Sequence, residues 1–375
     1  MATVQTEPFN INKQWAISAP RPVIIAGPCS AESEEQVLAT AKAAKANGAD
    51  IIRAGIWKPR TRPNSFEGIG SIGLPWLQRV RQELDIPVTT EVANPGHVEE
   101  ALKHDIDVLW IGARTTVNPF QVQEIAEALK GVNKPVMIKN PINPDVDLWT
   151  GAIERFYKLG INKLAAIHRG FSTYDSKGYR NKPMWEIPIE LKRRFPDMPL
   201  ICDPSHITGE RDKLHLVAQK ALDLDFHGLM IETHVTPDKA WSDAQQQVTP
   251  ERLGEIVKGL IIRVSADLIN LADNELEKLR AEIDRVDYYV LELLSERMSI
   301  AREIGKYKKA HNITVLQAKR WEEVLRTRLE KSNELLITRD FVNELVQQIH
   351  KESIYHQTKV MNEVDPDDKQ EPNEK

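Results

Sequence analysis

The stretch Ile51-Ile-Arg-Ala-Gly-Ile-Trp-Lys-Pro-Arg-Thr-Arg-Pro63 joins a short apolar run to a loop that carries Arg53, Lys58, Arg60 and Arg62. The whole chain has a formal net charge of -5, so this loop is a local concentration of positive charge. Its prolines restrict the backbone, and guanidinium forks with a lysine ammonium bind carboxylates and phosphates. By itself the stretch fits either a rigid anion site or a solvated basic loop. Whether the other predicted strands end in the same kind of residue distinguishes the two interpretations.

The same unit of apolar run, polar loop and amphipathic segment recurs over about 260 residues. Such alternation predicts a parallel sheet, and eight runs favour an α/β fold closed as a (β/α)8 TIM barrel over an open sheet. Predicted helices between the runs include Glu34–Ala46 and Pro119–Leu129. The predicted strands are Val23–Ile25, Ile51–Arg53, Val88–Val92, Val108–Ile111, Val136–Ile138, Leu164–Ile167, Leu200–Cys202 and Leu229–Ile231.

A residue able to do chemistry follows each predicted strand. In a barrel these strand ends meet on one face, where active sites form, and a purely structural barrel would not need them. In chain order they are Cys29, the cationic loop, Glu91, Arg114, Lys139, His168 with Arg169, Asp203 with His206, and Glu232 with His234. The pattern therefore predicts a catalytic site.

The predicted site divides into two chemical sets. The cations suit a substrate with a carboxylate and a phosphate; they are Arg53, Lys58, Arg60, Arg114, Lys139 and Arg169. The second set offers sulfur, nitrogen and oxygen ligands for a divalent transition metal; it is Cys29, His206, Glu232 and Asp243. Taken alone, Cys29 also fits a small buried apolar residue, and His234 fits a structural histidine.

The segment Gly68-Ile-Gly-Ser-Ile-Gly73 has the spacing of a dinucleotide-binding loop. It follows a loop instead of a strand, and no acidic residue stands at a strand end about 20 residues further on. We therefore predict no dinucleotide site there.

Five short motifs in this region resemble the compact type of 3-deoxy-D-arabino-heptulosonate 7-phosphate (DAHP) synthase. They are Gly27-Pro-Cys-Ser30, Lys58-Pro-Arg-Thr61, Ile111-Gly-Ala-Arg114, Asp203-Pro-Ser-His206 and Ser242-Asp-Ala-Gln-Gln-Gln247. The resemblance covers about residues 15–262 and implies condensation of phosphoenolpyruvate with erythrose 4-phosphate, with release of phosphate. The family that makes 3-deoxy-D-manno-octulosonate 8-phosphate shares the barrel but lacks the Lys-Pro-Arg-Thr loop, and it is the alternative.

The resemblance also implies roles for individual residues. Phosphoenolpyruvate would be held by Arg53, Lys58, Arg114, Lys139 and Arg169, with Lys58, Lys139 and Asp203 as catalytic residues. Erythrose 4-phosphate would contact Lys58, Pro59, Arg60 and Thr61. A divalent metal, with Mn2+ as the expected ion, would be ligated by Cys29, His206, Glu232 and Asp243 and would polarise the aldehyde. With only about 20 residues before the barrel, no N-terminal regulatory domain is expected.

Beyond Ile262 the sequence changes to long, charge-rich helices. A stripe with helical spacing predicts a packing seam; it comprises Leu276, Leu279, Ile283, Val286, Val290 and Leu293. Arg297 interrupts the seam, and such a charge must be paired or bind an anionic ligand; spacing alone favours a salt bridge. A later helix, about Arg339 to Gln357, brings Ser353 and Gln357 into its apolar stripe, which suggests a small polar site in a helical core.

This region resembles the all-helical chorismate mutase family over about residues 274–358. The matching motifs are Leu279-Arg280, Ile283-Asp284, Asp287, Leu294-Ser-Glu-Arg297, Ile304-Gly-Lys306 and Lys308. The resemblance implies a cofactor-free rearrangement of chorismate to prephenate in an intertwined dimer. Arg280, from the partner subunit, and Arg297 would bind the carboxylates, Lys308 and Gln357 would act catalytically at the ether oxygen, and Arg320 and Ser353 also match. Gln317 and Trp321 stand where the family has acidic residues near the substrate hydroxyl.

The composition limits the remaining possibilities. A 375-residue chain predicts two domains: a barrel over 1–265, a linker over 266–273, a small all-α domain over 274–360 and a disordered acidic tail over 361–375. No apolar run approaches the roughly 20 residues that a membrane span needs, and no signal sequence is visible. Two cysteines favour a reducing cytoplasm. The acidic balance argues against a nucleic-acid partner.

We expect a bifunctional enzyme that forms at least a homodimer. The alternative is that the helical domain mainly regulates or dimerises the barrel in response to chorismate or prephenate.

Overall fold

The computed structural model describes residues 15, 22–60, 66–174, 178–263 and 274–363. The chain divides into two compact units, Met1–Ile269 and Asn270–Lys375. The predicted linker, 266–273, lies outside the described residues, so the predicted domain boundaries remain predictions. None of the described helices combines the length and the apolar character needed to cross a membrane.

In the described part of the first unit, eight parallel strands pair in sequence order and close into a barrel with β8 beside β1. The strands are β1 (Val23–Gly27), β2 (Ile51–Arg53), β3 (Val88–Val92), β4 (Val108–Ile111), β5 (Val136–Lys139), β6 (Leu164–His168), β7 (Leu200–Cys202) and β8 (Gly228–Glu232). The predicted barrel is confirmed, and the predicted strands match with small differences at their ends.

Helices follow the strands and surround the barrel. They are α1 (Glu34–Ala46), α2 (Leu74–Leu84), α3 (Pro95–Lys103), α4 (Ala113–Thr116), α5 (Pro119–Ala128), α6 (Val146–Lys158), α7 (Glu186–Arg194), α8 (Pro204–Thr208), α9 (Leu214–Asp223) and α10 (Pro250–Gly259). Ser71–Gly73 forms a 3-10 helix after the loop that starts at Gly68. The glycine-rich segment therefore follows no strand, as the sequence analysis predicted.

Two layers of apolar side chains result from the alternation of residues along each strand. On β1 and β4, Val23, Ile25, Val108 and Trp110 face the barrel interior, in a cluster that also contains Trp15. The alternate residues, such as Ile24 and Leu109, pack with the surrounding helices. Both faces of each strand are buried, which explains why the strands are continuously apolar in sequence.

The second unit consists, in its described part, of three helices: α11 (Asn274–Ala310), α12 (Ala318–Glu334) and α13 (Arg339–Asn362). Gly305 lets α11 approach α13 closely, because a Cβ there would lie 3.0 Å from Gln357 Cα. Helix α13 continues to Asn362, two residues into the range predicted as a tail, and residues 364–375 lie outside the described residues.

The predicted apolar stripe on the first half of α11 is exposed. Leu279, Ile283, Val286, Val290 and Leu293 are each between 49% and 64% exposed. Among the described residues, therefore, the stripe has the spacing of a packing seam without a covering partner. An uncovered stripe of this length is typical of an interface.

Gly27 provides a test of the barrel geometry. Its φ is +143°, and a Cβ would lie 2.1 Å from the Arg53 carbonyl oxygen, whereas Gly160, with φ +80°, has open space around the same position. Gly160→Ala should cost about 1–2 kcal/mol of unfolding free energy through backbone strain. Gly27→Ala should cost about 2 kcal/mol more, because the strands must also separate. Denaturant unfolding of both variants checks this, and equal losses would contradict it.

Candidate active sites

Buried cations lie above an aromatic residue at the carboxyl end of the barrel. Arg53 and Lys139 end β2 and β5, and their charged groups lie 4.9 and 5.9 Å from the Trp110 ring centroid. Arg53 is 2% exposed and its Nη2 lies 3.2 Å from Glu232 Oε1. Arg53 Nε and Nη1 have no hydrogen-bond partner among the described residues. Since unpaired buried donors are costly, this arrangement is suited to receive an anion.

Acidic groups keep this buried site ionised. Burial alone would lower the pKa of Arg53, but Glu232, Cys29 and Asp203 more than offset this and raise it. Burial would likewise raise the pKa of Asp203, but His206, Lys139 and Arg53 hold it well below its usual range. Each carboxylate therefore stays charged because a cation faces it.

Asp203 connects β7 to the site through several contacts. It caps α8 by accepting from the His206 backbone N–H at 3.1 Å. Its Oδ2 accepts from Lys139 Nζ at 2.8 Å and lies 2.8 Å from His206 Nδ1. Because Asp203 is fully buried, these contacts fix the positions of both the lysine ammonium and the imidazole.

The predicted metal ligands are neighbours in two pairs. Cys29 Sγ lies 3.2 Å from Asp243 Oδ2, and His206 Nε2 lies 3.8 Å from Glu232 Oε1. Electrostatic coupling links the pairs, because His206 lowers the pKa of Asp243 and Glu232 raises that of Cys29. Among the described residues, no three such side chains already surround one point able to hold an ion.

Cations contact the same ligand atoms. Lys58 Nζ lies 2.6 Å from Cys29 Sγ, and Arg180 Nη1 lies 2.8 Å from Asp243 Oδ1. Burial, followed by Glu232, raises the pKa of the Cys29 thiol to about 12, so a divalent cation would be needed to favour its thiolate. The sulfur, nitrogen and oxygen donors thus fit a transition metal in chemical type. In this arrangement, neighbouring cations contact the ligand side chains of Cys29 and Asp243.

The cationic loop is anchored at both ends of its described part. Lys58 Nζ also donates to the Cys29 carbonyl at 2.9 Å. Arg60 donates from Nε to the Phe66 carbonyl at 2.8 Å, and its Nη1 lies 3.8 Å from Asp243 Oδ2. Pro59 lies between them, whereas Thr61 lies outside the described residues. Lys58 and Arg60 therefore reach the same cluster as the predicted metal ligands.

Arg169 adds a further buried cation. Its Nη1 donates to Asn181 Oδ1 at 2.8 Å, and its backbone N–H donates to Asn140 Oδ1 at 2.7 Å. Burial, with repulsion from Arg180 and Arg114, lowers the pKa of Arg169 to about 10. Arg114, on α4, is exposed but close enough to contribute to this shift. The charge repulsion indicates a site that gains stability when an anion binds.

Sequence reasoning missed some residues and misplaced others. Arg180 was missed, although its position in the loop after β6 was a possible signal; Trp110 was missed because it resembles a core residue. His168 was wrong as a site residue: it packs against Phe171, Trp185 and Phe226. The structural alternative for His234 is supported by its Nδ1, which accepts from the Thr236 N–H at 2.8 Å.

The helical unit contains a separate cavity of about 400 Å³ between α11, α12 and α13. Lys308 donates from Nζ to Gln357 Oε1 at 2.9 Å and to the Val315 carbonyl at 2.6 Å. Arg297 donates from Nη1 to Ser353 Oγ, and Ser353 Oγ donates to the Ile349 carbonyl at 2.7 Å. The predicted polar residues of α11 and α13 therefore meet in one cavity.

The cavity is lined by cations without a carboxylate among the described lining residues. The preference for a salt bridge at Arg297 is thus wrong, because its described partner is a hydroxyl. Burial, with repulsion from Arg328, lowers the pKa of Arg297. Arg320 lines the cavity as predicted, and Arg328, which sequence reasoning missed, adds a fourth cation.

Two residues singled out in the sequence, Arg280 and Trp321, differ in their relation to this cavity. Arg280 is exposed, pairs with Glu277 at 2.5 Å and does not line the cavity of its own chain. Trp321 lines the cavity and stacks on His350 with ring centroids 3.9 Å apart. Sequence reasoning missed His350, because a single histidine on an amphipathic helix carries no specific signal.

Comparison with known proteins assigns both units. The model of the DAHP synthetase I family matches residues 10–264. The model of chorismate mutase type II matches residues 279–358.

Individual relatives agree for the barrel. A phospho-2-dehydro-3-deoxyheptonate aldolase from Thermotoga maritima is 31% identical over 235 residues, covering 63% of this chain and 68% of the relative. A 2-dehydro-3-deoxyphosphooctonate aldolase from Vesicomyosocius okutanii is 28% identical over 265 residues, covering 63% and 88%. The crystal structure of the Thermotoga DAHP synthase superposes with a TM-score of 0.56 at 29% identity, covering 63% of this chain and 67% of that one.

The barrel unit and the helical unit thus each match an enzyme family. The chain belongs to the DAHP synthetase I family and carries a C-terminal chorismate mutase type II domain.

Proposed function

We propose that the barrel condenses phosphoenolpyruvate, erythrose 4-phosphate and water to DAHP and phosphate, and that the helical domain converts chorismate to prephenate. The observation that carries the first part is Arg53, buried above Trp110 with unpaired donors. Lys139, Arg169 and Arg114 would bind the same phosphoenolpyruvate molecule. Erythrose 4-phosphate would contact Lys58, Pro59, Arg60 and Thr61.

Within the barrel, the chain's own side chains would orient the reactants. Arg53 and Lys139 would hold the carboxylate and phosphate of phosphoenolpyruvate over Trp110. Asp203 would keep the Lys139 ammonium directed into the basin through its 2.8 Å contact. Lys58, held at the Cys29 carbonyl, would place a second ammonium beside the aldehyde.

DAHP synthases are generally metal-dependent, and we propose Cys29, His206, Glu232 and Asp243 as the ligands here, with Mn2+ as the ion. When bound, the ion would supply Lewis-acid polarisation of the aldehyde. The motivation is the mixed donor set and its electrostatic coupling. The free thiols of Cys29 and Cys202 suit the reducing cytoplasm in which we propose the enzyme works.

In the helical cavity, Arg297 and Arg320 would bind substrate carboxylates. Because Gln357 Oε1 accepts from Lys308, its Nε2 amide would donate to the ether oxygen together with the Lys308 ammonium. Negative charge develops on that oxygen as the bond breaks, and preorganised donors stabilise it without a covalent step. Ser353 would hold Arg297 in position.

We further propose that a second copy of the chain covers the exposed stripe on α11. In this dimer, Arg280 of each chain would reach the cavity of the other chain, because it does not line the cavity of its own chain. The exposed leucine and valine side chains support the proposal, since a soluble helix rarely leaves so continuous a stripe uncovered. Chorismate or prephenate bound in the helical domain would also regulate the barrel, which requires that the ligand bind unequally to two conformations.

The first experiment follows phosphoenolpyruvate loss and phosphate release by the full chain. We expect consumption with erythrose 4-phosphate and little with arabinose 5-phosphate. Lys58→Met should lower the rate about 100-fold or more, whereas Lys42→Met, on the exposed face of α1, should not. Preference for arabinose 5-phosphate would favour the octulosonate alternative. Prephenate titrated into the same assay should lower the rate; no response would remove the regulatory part alone.

Metal removal should separate the two activities. Chelation followed by desalting should abolish DAHP formation, and added Mn2+ should restore it, because the barrel ligands require an ion. Chorismate conversion by the same sample should persist, since we propose no metal ligand among the side chains of the helical cavity. Full synthase activity in protein shown by elemental analysis to be metal-free would contradict the proposed ligand set.

Mixed dimers test the partner contribution to the mutase site. Arg280→Ala and Arg297→Ala should each lower mutase activity by about 100-fold or more. Co-refolding equal amounts should restore about a quarter of wild-type activity, because half of the dimers are mixed and each contains one intact site. Arg285→Ala, outside the cavity, is the control. Absence of recovery in dimers shown to be mixed would place Arg280 outside the partner's site.

A further inference from the structure

The cations of the mutase cavity outnumber the anionic groups of the proposed substrate. Chorismate has two carboxylates, an ether oxygen and one hydroxyl. Carboxylates and ether oxygen are acceptors, and the cavity offers donors for them in Arg297, Lys308, Arg320 and Arg328. The hydroxyl also has a proton to donate, and for this it needs an acceptor that the cations cannot provide.

Acceptors are scarce in the described wall of this cavity. The Val315 carbonyl and Gln357 Oε1 already accept from Lys308. Ser353 Oγ accepts from Arg297 and donates to the Ile349 carbonyl. Gln317 is exposed, where water competes for its amide. A neutral histidine remains, since its unprotonated ring nitrogen is an acceptor.

His350 has the geometry for this task. It lines the cavity, and its ring lies 3.9 Å from that of Trp321, tilted by only 14°. The stack restricts the imidazole while its nitrogen-bearing edge stays available, because no hydrogen bond of His350 is found within the described residues. Trp321 itself can only donate through its indole N–H.

We propose that His350, held against Trp321, accepts the hydrogen bond of the substrate hydroxyl in the mutase cavity and thereby selects a hydroxylated dicarboxylate. The proposal rests on the proposed mutase function. It assigns to α13 a recognition task for which the cavity has no carboxylate among its described lining residues.

Burial and the surrounding cations keep His350 neutral. Arg297 and Lys308 face it from α11, Arg320 and Arg328 line the same cavity from α12, and no other charged residue of α13 lines it. Burial, then Arg297 and Lys308, lowers the pKa of His350 below its ordinary value of 6.5. The acceptor is therefore present at neutral pH and is lost by protonation only below pH 6.5.

The test compares two substitutions at this position in the full chain. His350→Phe keeps the stack but removes the acceptor, so KM for chorismate should rise about tenfold with kcat little changed, as expected for a lost hydrogen bond made equally in the ground and transition states. His350→Gln keeps an acceptor and should recover part of the loss. His356→Phe, on the same helix but outside the cavity, is the matched control and should resemble wild type.

Two further measurements exclude a structural effect. Wild-type kcat/KM should fall on the acid side of pH 6.5, and this fall should disappear in His350→Phe and His350→Gln. Calorimetry with two cyclic dicarboxylate inhibitors that differ only in the hydroxyl should show a preference for the hydroxylated one in wild type and none in His350→Phe. An unchanged preference in His350→Phe would overturn the inference.

Calorimetry also separates this inference from the proposed function. Wild-type protein that binds chorismate without converting it would refute catalysis, and the inhibitor preference would still decide the role of His350. Wild-type protein that binds neither chorismate nor the inhibitors would overturn both.

Discussion

The buried ion pair between Arg53 and Glu232 is the contact on which the barrel site depends. It joins the carboxyl ends of β2 and β8, with 3.2 Å between Nη2 and Oε1 and almost no solvent exposure of either side chain. Removing one partner from such a pair leaves an uncompensated buried charge, which costs about 3–5 kcal/mol. Arg53 belongs to the proposed anion-binding set and Glu232 to the proposed metal ligands, so anion binding and metal binding would share one electrostatic balance.

That sharing explains why the predicted ligands contact cations here. Lys58 lies beside Cys29, Arg53 beside Glu232 and Arg180 beside Asp243. Each carboxylate or thiol has a positive neighbour, and two of these neighbours, Arg53 and Lys58, are among the residues that we propose bind the phosphorylated substrates. A bound metal ion or an anionic substrate would therefore change which cation contacts which ligand side chain. This provides a physical basis for coupling metal binding to substrate binding.

The helical domain also holds several cations in one cavity, but it has no carboxylates beside them among the described lining residues. These cations come from α11 and α12, and the electrostatic balance of the cavity must therefore come from the ligand. Burial lowers the pKa of Lys308, and burial followed by repulsion from Arg328 lowers the pKa of Arg297. A dicarboxylate substrate would relieve that repulsion, and a neutral His350 would complete its recognition.

The sequence by itself determined the barrel, the strand-end residues and the helical polar site. Local rules suffice for these features: strands buried on both faces are continuously apolar, and parallel strands bring their carboxyl ends together. Only the tertiary structure decided which of these residues meet. Trp110 and His168 look alike as strand residues, yet one lies beneath the cations and the other packs among aromatics. Arg180, Arg328 and His350 reach their sites through loop and helix packing, and no local pattern in the sequence specifies contacts over such separations.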